Sequence, residues 1–396
     1  MWREGDHCSV TRESRLGRLF GSAEHIAVER GLAEFRSGRP ITITAAGEAA
    51  LAMPVDGMDD ARLAAFRRLC APAVPYLVVT SKRGRALGVD AKAPLGLAIG
   101  EESAAAIIAL AADAGPERTL TVVPASSAAL AAIELAKLAQ LLPALVMADA
   151  PAAARPASEP SLITIAAHAV GEVRQAATAS LTAVAEANVP LTGGLQTRFV
   201  IFRDGIGGSS VAVIVGTPDL ARPVSVRLHS ACLTGDVFGS RRCDCGDQLR
   251  LAIARLDEEG GGIIIYLEQE GRGLGLANKM RAYALQDAGL DTIDANATLG
   301  FDDDERDYAV AVRMLRVLGC KRVRLLTNNP AKLDGLAQAG IEVVGRVPLH
   351  GPVNADNRRY LTAKATRAGH KLDHLLGAIA EPADAPADPV APPRPR

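Results

Sequence analysis

The sequence predicts an α/β protein made of two α/β domains in succession, and three observations carry that expectation. The chain has 396 residues, 48% of them hydrophobic, which exceeds what one hydrophobic core ordinarily organises. Short apolar runs alternate with amphipathic helical patterns in both halves, as expected for strands layered against helices. An alanine- and proline-rich stretch, ADAPAAARPASEP at 148–160, divides the two series.

Residues 1–22 are polar and rich in arginine and are expected to form a loose leader. IAVERGLAEFRSG then reads as an amphipathic helix ended by Gly38, PITIT as a short strand, ARLAAFRRLC as a helix and PYLVVTS as a buried strand. TLTVVPA and AALAAIELAKLAQLLPALVM continue the alternation. With the linker-like stretch these elements make a first unit at 23–160 and leave 161–376 for the second; a boundary nearer residue 180 is the alternative. In the second unit VSVRLHS reads as a strand. Leu249, Ile253 and Leu256 share one face of a helix over 246–258, which Gly260 to Gly262 end. GIIIYLE is a buried strand, RDYAVAVRMLRVLG a helix and RVRLLTNN a strand, and Asn329-Pro330 opens another helix. The last sixteen residues hold six prolines without apolar periodicity, so 377–396 is expected to be a disordered tail.

Charged residues make up 22% and the net charge is −1. Neither nucleic acid nor an anionic membrane is expected as a partner, and an anionic ligand would have to be held by local basic residues. The start, MWREGDHCSVTRESR, has no apolar signal-like core, and no apolar run reaches spanning length. A soluble, cytoplasmic protein is expected.

Six cysteines occur. Cys8, Cys70 and Cys320 stand singly and read as small hydrophobes or surface thiols. Cys232, Cys243 and Cys245 instead fall within HSACLTGDVFGSRRCDCGDQ. Cytosolic thiols stay reduced, and clustered thiolates suit Zn²⁺. A structural zinc is ordinarily closed by four side chains, whereas a catalytic zinc keeps one position for water. Three cysteines favour the second kind, although His229 as a fourth ligand would make the first. The cluster follows a strand end carrying Arg227 and His229 and runs into a helix start, where backbone N–H groups favour thiolates and anions.

Three further segments point to an anionic ligand. GIIIYLEQEGRGLGLANKMRAYALQ leads a buried strand into a glycine-rich turn with Glu270, Gly271 and Arg272, then a helix bearing Lys279 and Arg281. The turn alone is weak, since many α/β loops use glycine for positive φ. Arg272, Lys279 and Arg281 are candidates for phosphate contacts. GFDDDERDY reads most simply as an acidic helix start in which Arg306 pairs along the helix. LLTNNPAKLDGL places Thr327 at a strand end and Lys332 in a first helical turn, a geometry that suits phosphate or base but also a plain cap and a solvated lysine.

Taken in order, RLHSACLTGDVFGSRRCDCGDQL, QEGRGLGLANKMRAYALQDAGLDTIDAN, LGFDDDERDY, VRLLTNNPAKLDGL and an NxxxLxxKxxxxGH ending at 357–370 resemble GTP cyclohydrolase II across 222–376. The resemblance implies a layered GTP cyclohydrolase II-like C-terminal domain. It implies an enzyme that opens the guanine imidazole ring of GTP at C8 with release of formate and pyrophosphate. The product would be 2,5-diamino-6-(5-phosphoribosylamino)pyrimidin-4(3H)-one, in the first committed step of riboflavin synthesis. It implies one Zn²⁺ per subunit on Cys232, Cys243 and Cys245, Mg²⁺ with the triphosphate, and a homodimer. GTP contacts are implied for Arg227, Leu228, His229, Ser230, Ala231, Gln248, Glu270, Gly271, Arg272, Thr292, Thr327 and Lys332. Tyr283 is implied at the purine, Asp304 as proton acceptor and Arg306 as nucleophile. A guanidinium with a pKa above about 12 is a poor nucleophile, so a clamp on the α-phosphate is the easier role for Arg306.

Two positions depart from the family pattern: Ala231 stands where it usually has Glu, and Glu268 where it usually has a basic residue. The pair is either compensatory or a sign of a diverged ring-opening hydrolase; a nucleotide-binding regulatory protein that has lost catalysis is the remaining reading. Residues 23–147 are similar to the 3,4-dihydroxy-2-butanone 4-phosphate synthase domain in IAVERGLAEFRSGRPITIT and RGRALGV. The Mg²⁺-binding acidic run is replaced by AAGEAALAMPVDG, with only Glu48 before Asp56. A hard divalent cation needs carboxylates, so this unit is expected to lack synthase activity and to serve a structural role.

Overall fold

The computed structural model describes residues 21–115, 119–149, 162–358, 360–362 and 365. Cys8, nearly all of the expected leader, most of the linker stretch, Lys364, Gly369 and His370 of the terminal motif, and the expected tail lie outside the described residues.

Ser22 caps the first helix, α1 (Ala23–Arg36), which buries Val28, Leu32 and Phe35 on one stripe. Then come β1 (Ile41–Ala45), β2 (Glu48–Pro54), α2 (Asp60–Cys70), β3 (Tyr76–Val79), α3 (Ser81–Ala86), β4 (Leu95–Ala98), α4 (Ala104–Ala112) and β5 (Val122–Val123). The unit continues with α5 (Ala129–Leu138), β6 (Ala144–Asp149), β7 (Thr164–Ala166) and α6 (Ala167–Ser180). Its sheet has the order β5-β4-β3-β6-β2-β1-β7. Alternate residues serve opposite faces: Leu51, Met53, Leu77 and Val79 enter one core, and Ala50, Ala52, Tyr76 and Val78 the other. Burial on both faces is why YLVV and ALVM read as unbroken apolar runs.

The expected boundary at 160/161 needs correction. Strand β7 pairs with β1 in parallel, and Ile165, Ala169, Val170 and Val173 enter the core beneath α1. Residues 164–180 therefore belong to the first unit, β7 in its sheet and α6 packed on its core, and the change of sheet falls at Leu181. The run AAGEAALAMP is also explained: Ala46 and Gly47, with φ of 50° and 82°, turn β1 into an antiparallel hairpin with β2.

The second unit starts with three antiparallel strands that patterning did not single out, β8 (Thr182–Pro190), β9 (Gln196–Arg203) and β10 (Ser209–Gly216). They are followed by β11 (Val224–Ser230), α7 (Leu233–Asp236), α8 (Cys245–Glu258), β12 (Gly261–Leu267), a 3₁₀ turn at Glu270–Gly273, α9 (Leu276–Asp287) and α10 (Thr292–Thr298). Helix α11 (Ala309–Val317), β13 (Arg322–Leu326), α12 (Pro330–Gln338) and β14 (Glu342–Val347) complete it. The sheet order is β14-β13-β11-β12-β10-β9-β8, and β14, β13, β11 and β12 run parallel. Their carboxyl ends share one edge, where α/β sheets collect ligands.

Helices α9 and α10 lean away from this sheet into the first unit. Leu274, Ala282, Leu285, Ala295, Leu299 and Phe301 share a core with Met53, Val79 and Leu110. Thr80 donates to Gly300 O at 2.8 Å. Arg83, 1% exposed, donates to the carbonyls of Ala109, Leu110, Asp113 and Thr298. Burial lowers its pKa to about 10, so it stays charged at neutral pH. Arg83→Met keeps most of the volume but leaves buried carbonyls without donors. It is expected to lose about 3 kcal/mol of stability, read as a lower urea midpoint; an unchanged midpoint would contradict the packing described.

Candidate active site

Strand β11 delivers its residues to the pocket by alternation. Arg227 and His229 face the pocket with Ser230 and Ala231, while Leu228 turns into the core beneath the sheet. The side chain of Leu228 is thus not a pocket group, which leaves only its main chain for the contact implied for it; its carbonyl accepts from Lys332 Nζ at 2.8 Å. From β12 the chain enters the 3₁₀ turn with Glu270, Gly271 and Arg272. Tyr283 comes from α9, Thr292 from α10, Gln248 from α8, Thr327 from the end of β13 and Lys332 from α12, and all line the same pocket. Arg306 lines it as well, whereas Asp304 sits at the rim, a third exposed.

The three clustered cysteines meet here. Their sulfurs lie within 4.8 Å of one another, and this is the only group of three or more His, Cys, Asp or Glu donors so placed among the described residues. Cys232 Sγ and Cys243 Sγ are 3.7 Å apart. A tetrahedral zinc with bonds of about 2.3 Å separates its ligands by about 3.8 Å, so the donor set fits that ion. Two glycines allow the convergence. A Cβ on Gly235 would stand 2.9 Å from Cys243 Sγ and 3.1 Å from Cys232 Sγ, and one on Gly246 would stand 2.1 Å from Gly235 O. Turn α7 and helix α8 therefore touch backbone to backbone, and Cys245 occupies the first position of α8. Hydrogen bonds from Cys243 and Cys245, aided by the Lys279 ammonium at 3.1 Å, hold the Cys232 thiol well below its ordinary range. Sharing with Cys232 pushes Cys243 up.

His229 is not a fourth member of the cluster. Its Nε2 meets both oxygens of Asp236 at 3.1 Å, its ring stacks on Tyr266 at 5.5 Å, and burial lowers its pKa. Asp236 also accepts from Tyr266 OH at 2.9 Å and from Cys232 N at 3.0 Å. The same carboxylate thus orients the histidine and the first cysteine. Among the described residues, Arg227 Nε, His229 Nδ1 and Ser230 Oγ are buried without a partner. All three belong to residues of β11 that line the pocket, and they are a set that a bound polar ligand would satisfy.

The cations are arranged around them. Arg227 donates to Leu326 O and Gln248 Oε1, and Gln248 in turn donates to Asp244. Arg272 adopts φ 62°, unusual for a residue with a Cβ, and donates to Asp303 O. Arg306 grips Asp304 with two guanidinium nitrogens, at 2.7 and 2.5 Å. Burial works against both charges, but the pairing prevails, so Arg306 is raised and Asp304 lowered. The pair is local, two residues apart in a non-helical loop; the helix starts only at Ala309, which corrects the helix-start reading of GFDDDERDY.

Lys279 reaches the pocket but is committed to Glu270 and Thr234, both at 2.8 Å, and to Cys232. Arg281 turns away to an ion pair with Asp56 of the first unit and is no phosphate ligand. Glu268 also points elsewhere, accepting from Ser209 N at 2.9 Å. It is not a pocket group, so it does not compensate for Ala231, which does line the pocket. Sequence reading missed Gln286, Asn296, Asn328, Asn329 and Tyr360, which also line it. Asn296 falls inside the quoted DTIDAN block and Asn328 and Asn329 inside LLTNNP, so those blocks held the signal; Tyr360 carried none.

A thiol triad beside a cation-rich slot, at the carboxyl ends of parallel strands, defines a metal-type hydrolase pocket for an anionic ligand. Residues 182–348 match the family model described as GTP cyclohydrolase II. The chain is 41% identical over 379 residues to the GTP cyclohydrolase-2 of Xylella fastidiosa strain 9a5c, covering 93% of each chain. It is 43% identical over 367 residues to that of Azospirillum brasilense, covering 87% of this chain and 93% of the relative. With the riboflavin biosynthesis protein RibBA of Porphyromonas gingivalis it shares 49% over 191 residues, 48% of this chain and 47% of the relative. The chain belongs to the GTP cyclohydrolase II family.

Gly235→Ala tests the sulfur geometry. The added methyl would press on two of the sulfurs, and the variant is expected to bind substoichiometric zinc by elemental analysis while remaining folded. Full zinc occupancy in that variant would contradict the tight approach of α7 to α8.

Proposed function

We propose that this pocket opens the imidazole ring of GTP at C8, releasing formate and pyrophosphate, as a step of riboflavin biosynthesis. The observation that carries the reading is the thiol triad lying in one pocket with the unpartnered groups of β11 and the cations Arg227, Arg272, Arg306 and Lys332. Cys232, Cys243 and Cys245 would hold a zinc ion, which when bound would supply water activated near neutral pH. Mg²⁺ is assigned to the triphosphate, whose oxygens are its natural ligands.

The side chains divide the remaining work. Arg272, Arg306 and Lys332 meet the triphosphate, Arg306 as a clamp rather than a nucleophile, because its pairing with Asp304 keeps the guanidinium protonated. Asp304, held low by the same pair, orients Arg306 and is a weak base. Burial raises the Tyr283 hydroxyl, with Lys279 opposing, so it keeps its proton and can donate to charge developing on the ring. Its ring is covered by the Arg242 guanidinium at 4.4 Å. Ser230, Gln248, Glu270, Thr292 and Thr327 line the space left for the base and sugar, and His229, neutral and held by Asp236, offers Nδ1 as an acceptor.

For the first unit we propose a structural role without synthase activity. Of the two acids in the region where the acidic run is missing, Glu48 accepts from Ser127, and Asp56 is committed to Arg281 and Leu142 N. Conversion of ribulose 5-phosphate by the purified protein would overturn that.

Incubation with GTP, Mg²⁺ and Zn²⁺ is expected to liberate formate and pyrophosphate together, with the pyrimidine product identified by mass spectrometry. Cys243→Ser should abolish formate release while GTP binding persists. Arg306→Ala should slow pyrophosphate release by about 10³-fold. GTP bound tightly with neither product formed would leave the non-catalytic reading standing instead.

A further inference from the structure

We infer that the first unit is a working part of this pocket: Lys137, near the end of α5, clamps Glu305 and thereby positions the loop that carries Asp304 and Arg306. The inference rests on the proposed function of the pocket.

The loop from Gly300 to Asp307 belongs to neither a helix nor a strand, so no backbone ladder sets its position. Tertiary contacts do: Lys82 pairs with Asp302 and Asp303, Arg272 and Gln269 donate to the carbonyls of Asp303 and Asp307, and the most shielded charge contact is made by Glu305. Lys137 Nζ lies 2.9 Å from Glu305 Oε1 and 3.6 Å from Asp302 Oδ2, and the lysine and glutamate side chains are 11% and 14% exposed. The same Glu305 oxygen accepts from Asp302 N at 2.9 Å, and Glu305 N donates to Arg272 O at 3.1 Å. A Cβ on Gly273 would stand 2.9 Å from Glu305 O. Glu305 is therefore where the acidic loop crosses the glycine-rich turn, and its side chain is tethered to another unit of the protein. Its sequence neighbours on either side form the Asp304–Arg306 pair.

The rest of this wall is backed in the same way. Asn278 Nδ2 donates to Gln140 O at 3.2 Å, Arg281 pairs with Asp56, and Thr80 holds Gly300 O. A Cβ on Gly275 would meet Gln140 Cβ at 2.9 Å, and one on Gly300 would meet Thr80 Oγ1 at 2.9 Å. Two glycines in the blocks shared with the family thus mark places where the first unit presses on the second. A charge pair this well shielded from water is stronger than an exposed one, and displacing a phosphate clamp by about 1 Å can cost roughly 10²-fold in rate.

The test is steady-state kinetics of the full-length, zinc-loaded chain. Lys137→Met is expected to lower kcat by roughly tenfold or more, with KM for GTP within about twofold and zinc content unchanged. Glu305→Gln, which keeps an acceptor for Asp302 N but removes the charge, should show the same split, and the double variant should be no worse than either single one. Lys137→Arg should restore part of kcat. Should Lys137→Met fail to fold, Glu305→Gln decides alone. Wild-type kcat in a folded Lys137→Met or Glu305→Gln overturns the inference while the proposed function stands. Absence of turnover in the wild-type protein sinks the proposed function and the inference with it.

Discussion

Everything at this site depends on the backbone contact between Gly235 and Gly246. The space between turn α7 and helix α8 is too narrow for a methyl on either residue, and this closeness brings Cys232 next to Cys243 and Cys245. Cysteines thirteen residues apart in sequence have no local reason to meet. They do so because β11 ends in a turn whose Asp236 is tied back to His229, Tyr266 and Cys232 N, while Cys245 opens the next helix. The helix N-terminus then adds its dipole to the stabilisation of the thiolates.

The charges around the triad form a graded series. Three thiolates around a divalent ion leave one negative charge in a mostly buried place, a costly situation without a balancing group. Lys279 supplies that positive charge 3.1 Å from Cys232, and Glu270 answers it from the other side at 2.8 Å. Glu270 in turn accepts from Leu233 N at 2.6 Å, at the start of the turn that carries the first cysteine. The glycine-rich turn, helix α9 and the cysteine turn are therefore locked together by one alternating chain of charges. Lys279 is spent inside this chain; Arg227, Arg272, Arg306 and Lys332 are the other cations that line the pocket.

Much of this was legible in the sequence, and the parts that were not share a physical reason. The cysteine spacing pointed to the metal-type cluster, and period-2 burial placed Arg227 and His229 together. The directions of Leu228, Arg281 and Glu268 were not legible because adjacency in a motif does not fix direction. Strand alternation turns Leu228 inward, helix α9 directs Arg281 at Asp56, and Glu268 reaches back to Ser209 N. The boundary at 160/161 falls too early, and the alternative near residue 180 is the better one, because β7 is only three residues long and follows an alanine- and proline-rich stretch; its membership in the first sheet is a pairing 122 residues away, at Thr42 to Thr44. Strand β8, TAVAEANVP, carries apolar residues but buries neither face, all nine being exposed, so no inward-outward alternation marks it in the sequence.

The two departures from the family pattern now weigh differently. Glu268 was a reason to expect a changed ligand only while it was thought to share the pocket with Ala231; its carboxylate instead accepts a backbone N–H outside the pocket. Ala231 does line the pocket, but its backbone N donates to Leu267 O at 2.8 Å, so the path from β11 into the cysteine turn is set by the main chain and tolerates a methyl. What the alanine removes is a carboxylate beside the thiol triad. An additional anion there would compete for Lys279, whose charge already serves Cys232 and Glu270, and would repel a triphosphate. Lys279 is already occupied by Cys232, Thr234 and Glu270. The substitution therefore changes the local electrostatics, and the arrangement of the triad, the Asp304–Arg306 pair and Tyr283 stands without it.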